Sequence, residues 1–210
     1  MRRVVGILLA AGSGRRFGSN KLLAPMADGT PLAVAAASRL IAAVPECIAV
    51  VRPGDAALAT LLAGKGLRIV ECAAAEQGMG HSLAAGVAAA STADAWLIAL
   101  ADMPSIKIST IAGLRTLLHE GSELVAPFHS GRRGHPVGFA AGFGAALQAL
   151  GGDAGARDLL ARHASSLTRL DVDDPGILVD VDTPDDLAMK PAAPPAAGLT
   201  RYNPHRAARR

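Results

Sequence analysis

The sequence is poor in aromatic residues and in cysteine. Aromatic side chains make up 3% of the 210 residues. Few side chains could therefore stack on nucleobases, and we expect no binding to a nucleic acid. The two cysteines, Cys47 and Cys72, lie in or beside apolar segments without metal-binding or redox spacing. This pattern predicts buried thiols in a reducing compartment, and we expect a cytoplasmic protein.

Long apolar runs are also absent, so we expect no membrane-spanning segment. Arg2 and Arg3 precede an apolar run near the N-terminus, as in a signal peptide. That run is too short and ends at Gly12, before further arginines. We therefore expect no targeting segment here.

Positive charge is concentrated in a few places, although the formal net charge is only +3. Cations cluster in the first loop, at Arg132 and Arg133, and in a tail rich in Pro, Ala and Arg. We predict one domain over residues 1–189, long enough to bury a core. A disordered basic tail is predicted over residues 190–210.

Short β-rich runs alternate with helical segments along the chain, and the apolar residues are mostly aliphatic. This alternation predicts a single-domain α/β fold, a three-layer α/β/α sandwich with a mostly parallel, Rossmann-like central sheet. Thr30 and Pro31 predict the N-cap and first residue of the first helix. Strands are predicted at residues 4–10, 47–51, 67–72, 95–101, 123–127, 167–172 and 177–181, and helices at residues 32–43, 56–63, 82–90, 107–119 and from the segment 152–157 to about residue 163.

The first strand leads into a loop rich in glycine and cations, which is typical of an anion-binding site. A P-loop requires a Ser or Thr after its lysine, but Leu22 follows Lys21. A dinucleotide fingerprint would place its third glycine at Phe17. Neither motif fits this loop. The alternative to an anion-binding loop is a basic turn on the protein surface.

The loop resembles the motif L-A-A-G-x-x-x-R-x-G-x-x-K of the nucleotidyltransferases related to the molybdenum cofactor enzymes. This resemblance implies a nucleotide-diphospho-sugar transferase type of fold, similar to glycosyltransferase A, over about residues 4–188. It also implies transfer of a nucleotide from a nucleoside triphosphate to an acceptor, with loss of pyrophosphate. The residues at the motif's positions are Leu9, Ala10, Ala11, Gly12, Arg16, Gly18 and Lys21.

By the same resemblance, the first loop binds the triphosphate. Arg16 would balance the charge of the pyrophosphate, and Lys21 would bridge the α-phosphate and the incoming phosphate. A second loop contains G-M-x-x-S-L and would face the base and ribose through Gln77, Gly78 and Ser82. An ordinary loop before a helix is the alternative. The remaining nucleotide-binding residues implied are Leu9, Ala10, Ala11, Gly12, Ser13, Gly14 and Arg15.

Acidic residues follow two predicted strands. A carboxylate just past a central buried strand, such as Asp102, needs a cation beside it, and Mg²⁺ prefers oxygen ligands. Asp180 and Asp182 would share one face of an extended segment. The resemblance implies Asp102 and Asp182 as Mg²⁺ ligands, with Asp180 in reserve. The alternatives are local: Asp102 as an N-cap, and a capping box made by residues 183–186.

Two further segments point to the acceptor. The segment containing Gly134, His135 and Pro136 resembles the family's acceptor-facing G-x-P-V-x-F, with a hairpin turn as the alternative. The segment G-D-x-G-A-R resembles the cytidylyl-transferring branch and adds Asp153 to the acceptor site. Asp153 could equally be an N-cap paired with Arg157.

Together these resemblances imply a Mg²⁺-dependent cytidylyltransferase that uses CTP and a molybdopterin-type acceptor, with a molybdenum hydroxylase as a candidate partner. The alternatives are GTP or a sugar phosphate as substrate, a non-catalytic delivery partner of that hydroxylase, and a nicotinamide-dependent oxidoreductase.

Overall fold

A computed structural model of the protein describes residues 2–12 and 20–188. Eight strands form one mixed sheet, and seven α-helices accompany it in this part of the chain. The strands are β1 (Val4–Leu9), β2 (Cys47–Val51), β3 (Arg68–Glu71), β4 (Ala95–Leu100), β5 (Leu124–His129), β6 (Arg132–Arg133), β7 (Val137–Ala140) and β8 (Leu167–Asp171), and the helices are α1 (Leu32–Ala43), α2 (Ala56–Ala63), α3 (Met79–Ala89), α4 (Ile108–His119), α5 (Gly144–Gln148), α6 (Arg157–Arg162) and α7 (Pro184–Ala188).

The sheet has the strand order β3-β2-β1-β4-β7-β5-β6, and β8 also pairs with β5. β1 is parallel to β2 and β4, whereas β7 is antiparallel to β4 and β5. The carboxyl ends of β1, β2 and β4 therefore lie at one edge of the sheet. In open α/β sheets, ligands bind at that edge.

Alternating side chains of β1 divide the core into two layers. Leu8 packs in a cluster with residues of α1, α2 and α4 on one face of the sheet. Ile7 packs in a second cluster with residues of α3, α5 and α6 on the other face. The predicted three-layer α/β/α sandwich with a mostly parallel sheet is confirmed.

Two local predictions are wrong. Pro31 is the N-cap of α1 and makes no side-chain cap hydrogen bond, so Thr30 does not cap this helix. Residues 177–181 do not form a strand, because the backbone turns into a 3-10 helix at Pro175–Leu178. The carboxylate of Asp174 accepts a hydrogen bond from the Gly176 N–H and stabilises this turn.

The predicted tail from residue 190 lies outside the described residues. Within the described ranges, no helix combines the length and the apolar character needed to span a lipid bilayer.

Candidate active site at the carboxyl edge of the sheet

A cleft of about 570 Å³ lies at the carboxyl ends of β1 and β4. It brings together residues from the first loop, the start of α3 and the segment after β4. Ala10 is buried beneath this edge, and Gln77 is exposed at the end of a 3-10 helix beside it. The lining residues are Leu9, Ala11, Gly12, Arg52, Ala75, Glu76, Gly78, Met79, Ser82, Leu100, Asp102 and Asp153.

Part of the predicted triphosphate loop lies outside the described residues. These positions include Ser13, Gly14, Arg15 and Arg16. Gly12 lines the cleft directly before them, and Lys21 follows shortly after them.

Lys21 is oriented by a short turn at the end of this loop. The Asn20 side chain accepts a hydrogen bond from the Leu22 N–H and caps the 3-10 helix Lys21–Leu23. The Asn20 amide also donates to the Asp55 carboxylate at 2.7 Å, which joins the turn to the start of α2. The Lys21 side chain thereby extends toward the end of β4.

The ammonium group of Lys21 joins two distant parts of the chain. Nζ donates to Oδ2 of Asp102 at 2.9 Å, to Oδ1 of Asp182 at 3.2 Å and to the carbonyl oxygen of Val181 at 2.8 Å. The Lys21 side chain is 11% exposed, and those of Asp102 and Asp182 are 25% and 48% exposed. The structure therefore brings together Lys21, predicted to bridge two phosphates, and Asp102 and Asp182, predicted as Mg²⁺ ligands.

Burial is the largest single influence on the pKa of Lys21, and it lowers that pKa. The hydrogen bonds and negative charges of Asp102 and Asp182 together outweigh it, so the pKa is raised above its ordinary value. Lys21 therefore carries a full positive charge at neutral pH.

Three carboxylates, Asp102, Asp180 and Asp182, have side-chain oxygens within 4.8 Å of one another. Oxygen donors of this kind suit Mg²⁺ or Mn²⁺, which bind through one or two carboxylates together with substrate phosphates. The residues present therefore fit a divalent cation. Asp180, which the sequence suggested as a reserve ligand, lies beside the two predicted ligands Asp102 and Asp182.

The backbone after Leu178 is held against the end of β4. The Val181 N–H donates to the carbonyl oxygen of Asp102 at 2.9 Å. The Asp186 carboxylate accepts from the N–H groups of Asp182 and Thr183 at 3.0 and 2.8 Å, as predicted for a capping box. The local capping role therefore belongs to Asp186 and leaves the carboxylate of Asp182 directed at Lys21.

Asp102 is not an N-cap of α4, because Lys107 occupies that position. The start of α4 is bound instead by Asp174, which is 1% exposed. Oδ2 of Asp174 accepts from the Lys107 N–H at 2.8 Å and from Oγ1 of Thr110 at 2.7 Å. Asp174 was not among the predicted site residues, since neither spacing nor composition distinguishes it from its exposed neighbour Asp173.

The loop before α3 fits tightly against residues 151–153. Gly78 has a φ of +123°, and a Cβ there would lie 2.2 Å from the carbonyl carbon of Gly152. The Gly80 N–H donates to the Gly152 carbonyl oxygen at 2.8 Å. This contact places Asp153 in the lining of the cleft with Gly78 and Ser82.

A smaller pocket of about 190 Å³ adjoins the cleft and is lined mainly by apolar side chains. Leu9, Met79 and Leu100 line both spaces. Two of the predicted acceptor residues, Gly134 and His135, line the smaller pocket, but Asp153 does not. Pro136 is buried beside them and follows a cis peptide bond.

The α6 helix begins at Arg157 with Ala156 as its N-cap, so Asp153 is not the N-cap of this helix.

His135 has an imidazole nitrogen, Nδ1, that is buried without a hydrogen-bond partner among the described residues. Burial is the main cause that lowers the pKa of this side chain. Arg133 lowers it further, while Asp102 and Asp180 raise it in part. His135 is therefore neutral at pH 7.

Five residues in the cleft lining were missing from the sequence interpretation: Arg52, Ala75, Glu76, Met79 and Leu100. Arg52 follows β2, whose end meets the same edge as β1 and β4. Its position after a parallel strand is the signal that could have identified it.

The chain resembles known proteins over most of its length. Residues 6–167 match the MobA-like NTP transferase domain. The chain is 34% identical over 188 residues to nicotine blue oxidoreductase of Paenarthrobacter nicotinovorans, covering 86% of this chain and 92% of the relative. It is 32% identical over 196 residues to the purine catabolism protein PucB of Bacillus subtilis (strain 168), covering 89% and 95%.

Among solved structures, Rv0371c of Mycobacterium tuberculosis H37Rv superposes with a TM-score of 0.77 at 25% identity, covering 89% of this chain and 96% of that one. A structure of the same protein in complex with manganese superposes with a TM-score of 0.72, also at 25% identity, covering 89% and 96%. Since the domain match covers most of the chain and two relatives exceed 30% identity, the chain belongs to the MobA-like NTP transferase family.

Proposed function

We propose that the protein is a divalent-metal-dependent cytidylyltransferase, which transfers CMP from CTP to a phosphorylated, molybdopterin-type acceptor and releases pyrophosphate. The observation that carries this proposal is the junction of Lys21, Asp102 and Asp182, of which Asp102 lines the cleft. At the end of parallel strands, the lysine supplies a positive charge for the phosphate oxygens, and the carboxylates supply the negative charge that holds a cation beside them.

In this reaction, an oxygen of the acceptor phosphate forms a bond to the α-phosphorus of CTP. The bond from that phosphorus to the oxygen bridging to the β-phosphate breaks, and pyrophosphate leaves with its electron pair. Such a displacement depends mainly on positioning and on neutralising oxygen charges. Lys21 is assigned to the α-phosphate and the incoming phosphate.

The triphosphate is assigned to the first loop, where Gly12, Ser13, Gly14 and Arg15 bind the β- and γ-phosphates and Arg16 balances the pyrophosphate. The base and ribose are assigned to Gln77, Gly78 and Ser82. Ser82 and Gly78 support this assignment by lining the cleft together with Gly12.

Mg²⁺ is the proposed cofactor, held by Asp102 and Asp182 with Asp180 beside them. When bound, the cation polarises the α-phosphate and neutralises charge on its oxygens. The manganese complex of Rv0371c supports a divalent cation in a protein of this fold.

The acceptor is assigned to the smaller pocket. Its apolar lining suits a flat ring system, and Arg133 and Arg157 in the lining suit an anionic substituent. His135 lines the same pocket with a neutral imidazole. Because Asp153 lines the larger cleft, we assign it to the boundary between the nucleotide and the acceptor.

Calorimetric titration tests the nucleotide. We would compare CTP, GTP, UTP, ATP and NADPH, each with Mg²⁺ and with the metal chelated. A preference for CTP that disappears without metal supports the proposal and leads to a pyrophosphate-release assay with molybdopterin. A preference for GTP would support nucleotidyl transfer with a different nucleotide. The acceptor would then be molybdopterin or a sugar phosphate.

A second candidate function is that of a nicotinamide-dependent oxidoreductase. The identity of 34% to nicotine blue oxidoreductase favours it. NADPH binding without any triphosphate binding in the same titration would select this candidate.

Delivery of the product to a molybdenum hydroxylase in the cytoplasm is part of the proposal. Co-purification of the two proteins only when CTP and molybdopterin are present would support product delivery. Metal-independent association without turnover would support a purely non-catalytic delivery role.

A further inference from the structure

The hydrogen bonds of Lys21 account for every proton on its ammonium group. A lysine ammonium has three donors. In this structure they reach Asp102, Asp182 and the Val181 carbonyl oxygen, at 2.9, 3.2 and 2.8 Å. In this arrangement Lys21 cannot also donate to the phosphates assigned to it above.

The same carboxylates are the proposed ligands of the divalent cation. Asp102 and Asp182 each hold one hydrogen bond from Lys21, and both belong to the cluster within 4.8 Å. An ammonium and a divalent cation sharing these oxygens would repel each other at short range. Lys21 and the metal are therefore competitors for one site.

We propose that Lys21 occupies the carboxylate site in the metal-free protein and that the incoming divalent cation displaces it toward the phosphates of the bound nucleotide. This inference rests on the metal site of the proposed function. The exchange means that Lys21 reaches the reacting phosphates only after the cation is in place. It also balances part of the negative charge of Asp102 and Asp182 when no cation is bound.

Metal binding to the nucleotide-free protein tests the exchange directly. We would titrate Mn²⁺ and follow the electron paramagnetic resonance signal of the free ion. Removing the competing charge in Lys21→Met should tighten Mn²⁺ binding by about tenfold or more. Lys65→Met is the matched control, because Lys65 is exposed and distant in sequence from the carboxylates, and it should leave the affinity unchanged.

Asp102→Asn separates failure of the exchange from failure of the metal site. Binding that requires Asp102, but is equally tight or weaker in Lys21→Met, overturns the exchange and leaves the metal site standing. Binding that Asp102→Asn does not weaken in either background overturns both.

Labelling of the unaltered chain gives a second test that does not depend on a Lys21 variant folding. The Lys21 side chain is 11% exposed in the metal-free protein, so its amine should react slowly with an acylating reagent. Adding Mn²⁺ should increase the acylation of Lys21 severalfold relative to Lys65, as measured by mass spectrometry of peptides. Acylation that Mn²⁺ leaves constant or decreases contradicts the exchange.

Discussion

The Nζ atom of Lys21 lies 2.9 Å from Oδ2 of Asp102, although 81 positions separate the two residues in the chain. Lys21 follows the loop after β1, and Asp102 follows β4, and these two strands are direct neighbours in the sheet. The pair therefore joins the end of the predicted triphosphate loop to the proposed metal ligands. Both partners should be required for turnover.

We expect Lys21→Ala and Asp102→Ala each to lower kcat/KM by about 10²-fold or more, because each removes a charge assigned to the reacting phosphate. Pyrophosphate release measures the rate, and circular dichroism checks the fold. Lys65→Ala serves as the control and should retain the full rate. Near-normal turnover in either site variant would exclude the mechanism.

Asp102→Asn should shift the metal requirement. The amide keeps one oxygen for Lys21 but loses the negative charge that a divalent cation needs. We expect half-maximal rate at a Mg²⁺ concentration about tenfold higher or more than in the unaltered protein. An unchanged Mg²⁺ dependence of the rate would show that Asp102 is not a ligand.

The stability of the metal-free protein should depend on His135 at acidic pH. The pKa of His135 is lowered below 6.5 mainly by burial, so the unfolded chain takes up this proton at a higher pH than the folded chain. The free energy of unfolding therefore falls as the pH decreases from about 6.5 toward the lower, folded pKa, and His135 has no such effect above that range.

His135→Asn should remove this loss. Urea unfolding with a chelator, repeated between neutral and acidic pH, measures the difference between the unaltered protein and the variant. We expect the difference to change only on the acidic side. Parallel curves throughout would mean that His135 titrates alike in both states.

Asp174→Ala should destabilise the fold by about 3 kcal/mol, because it leaves buried donors at the start of α4 without an acceptor. Asp174→Asn should cost less, since one oxygen remains. The exposed neighbour provides the control: Asp173→Ala should change the free energy of unfolding by less than about 0.5 kcal/mol. Equal effects at both positions in urea unfolding would contradict this assignment.

Gly78→Ala should weaken nucleotide binding as well as stability. Gly78 and Gly66 both have a positive φ, +123° and +92°, but only Gly78 has neighbours within 4 Å of the added Cβ. Gly66→Ala should therefore show backbone strain alone, about 1–2 kcal/mol. Gly78→Ala should add a clash of about 1–3 kcal/mol and displace the loop that carries Asp153.

Calorimetry with the preferred triphosphate completes this comparison. We expect an affinity loss of about tenfold or more in Gly78→Ala and none in Gly66→Ala. If both variants bind as tightly as the unaltered protein, contact between the two loops does not shape the nucleotide site.

The sequence by itself was sufficient for features that depend on local chemistry. Residues 32–43, 47–51 and 56–63 were predicted with the bounds that α1, β2 and α2 have, because apolar periodicity and turn residues act over a few positions. The motif around Gly12 also identified the family, because a phosphate loop needs its glycines and cations at fixed spacing.

Only the tertiary structure decided which carboxylate binds the start of α4 and which ones lie beside Lys21. Asp102 was compatible with an N-cap or a metal ligand, and the structure gives the start of α4 to Asp174 instead. Residues 177–181 looked like a strand, but hydrogen bonds made by Asp174 turn their start into a 3-10 helix. These features depend on contacts between segments that are distant in the sequence, and local residue spacing does not predict such contacts. The site at Lys21 exists because parallel strands bring separate loops to one edge of the sheet.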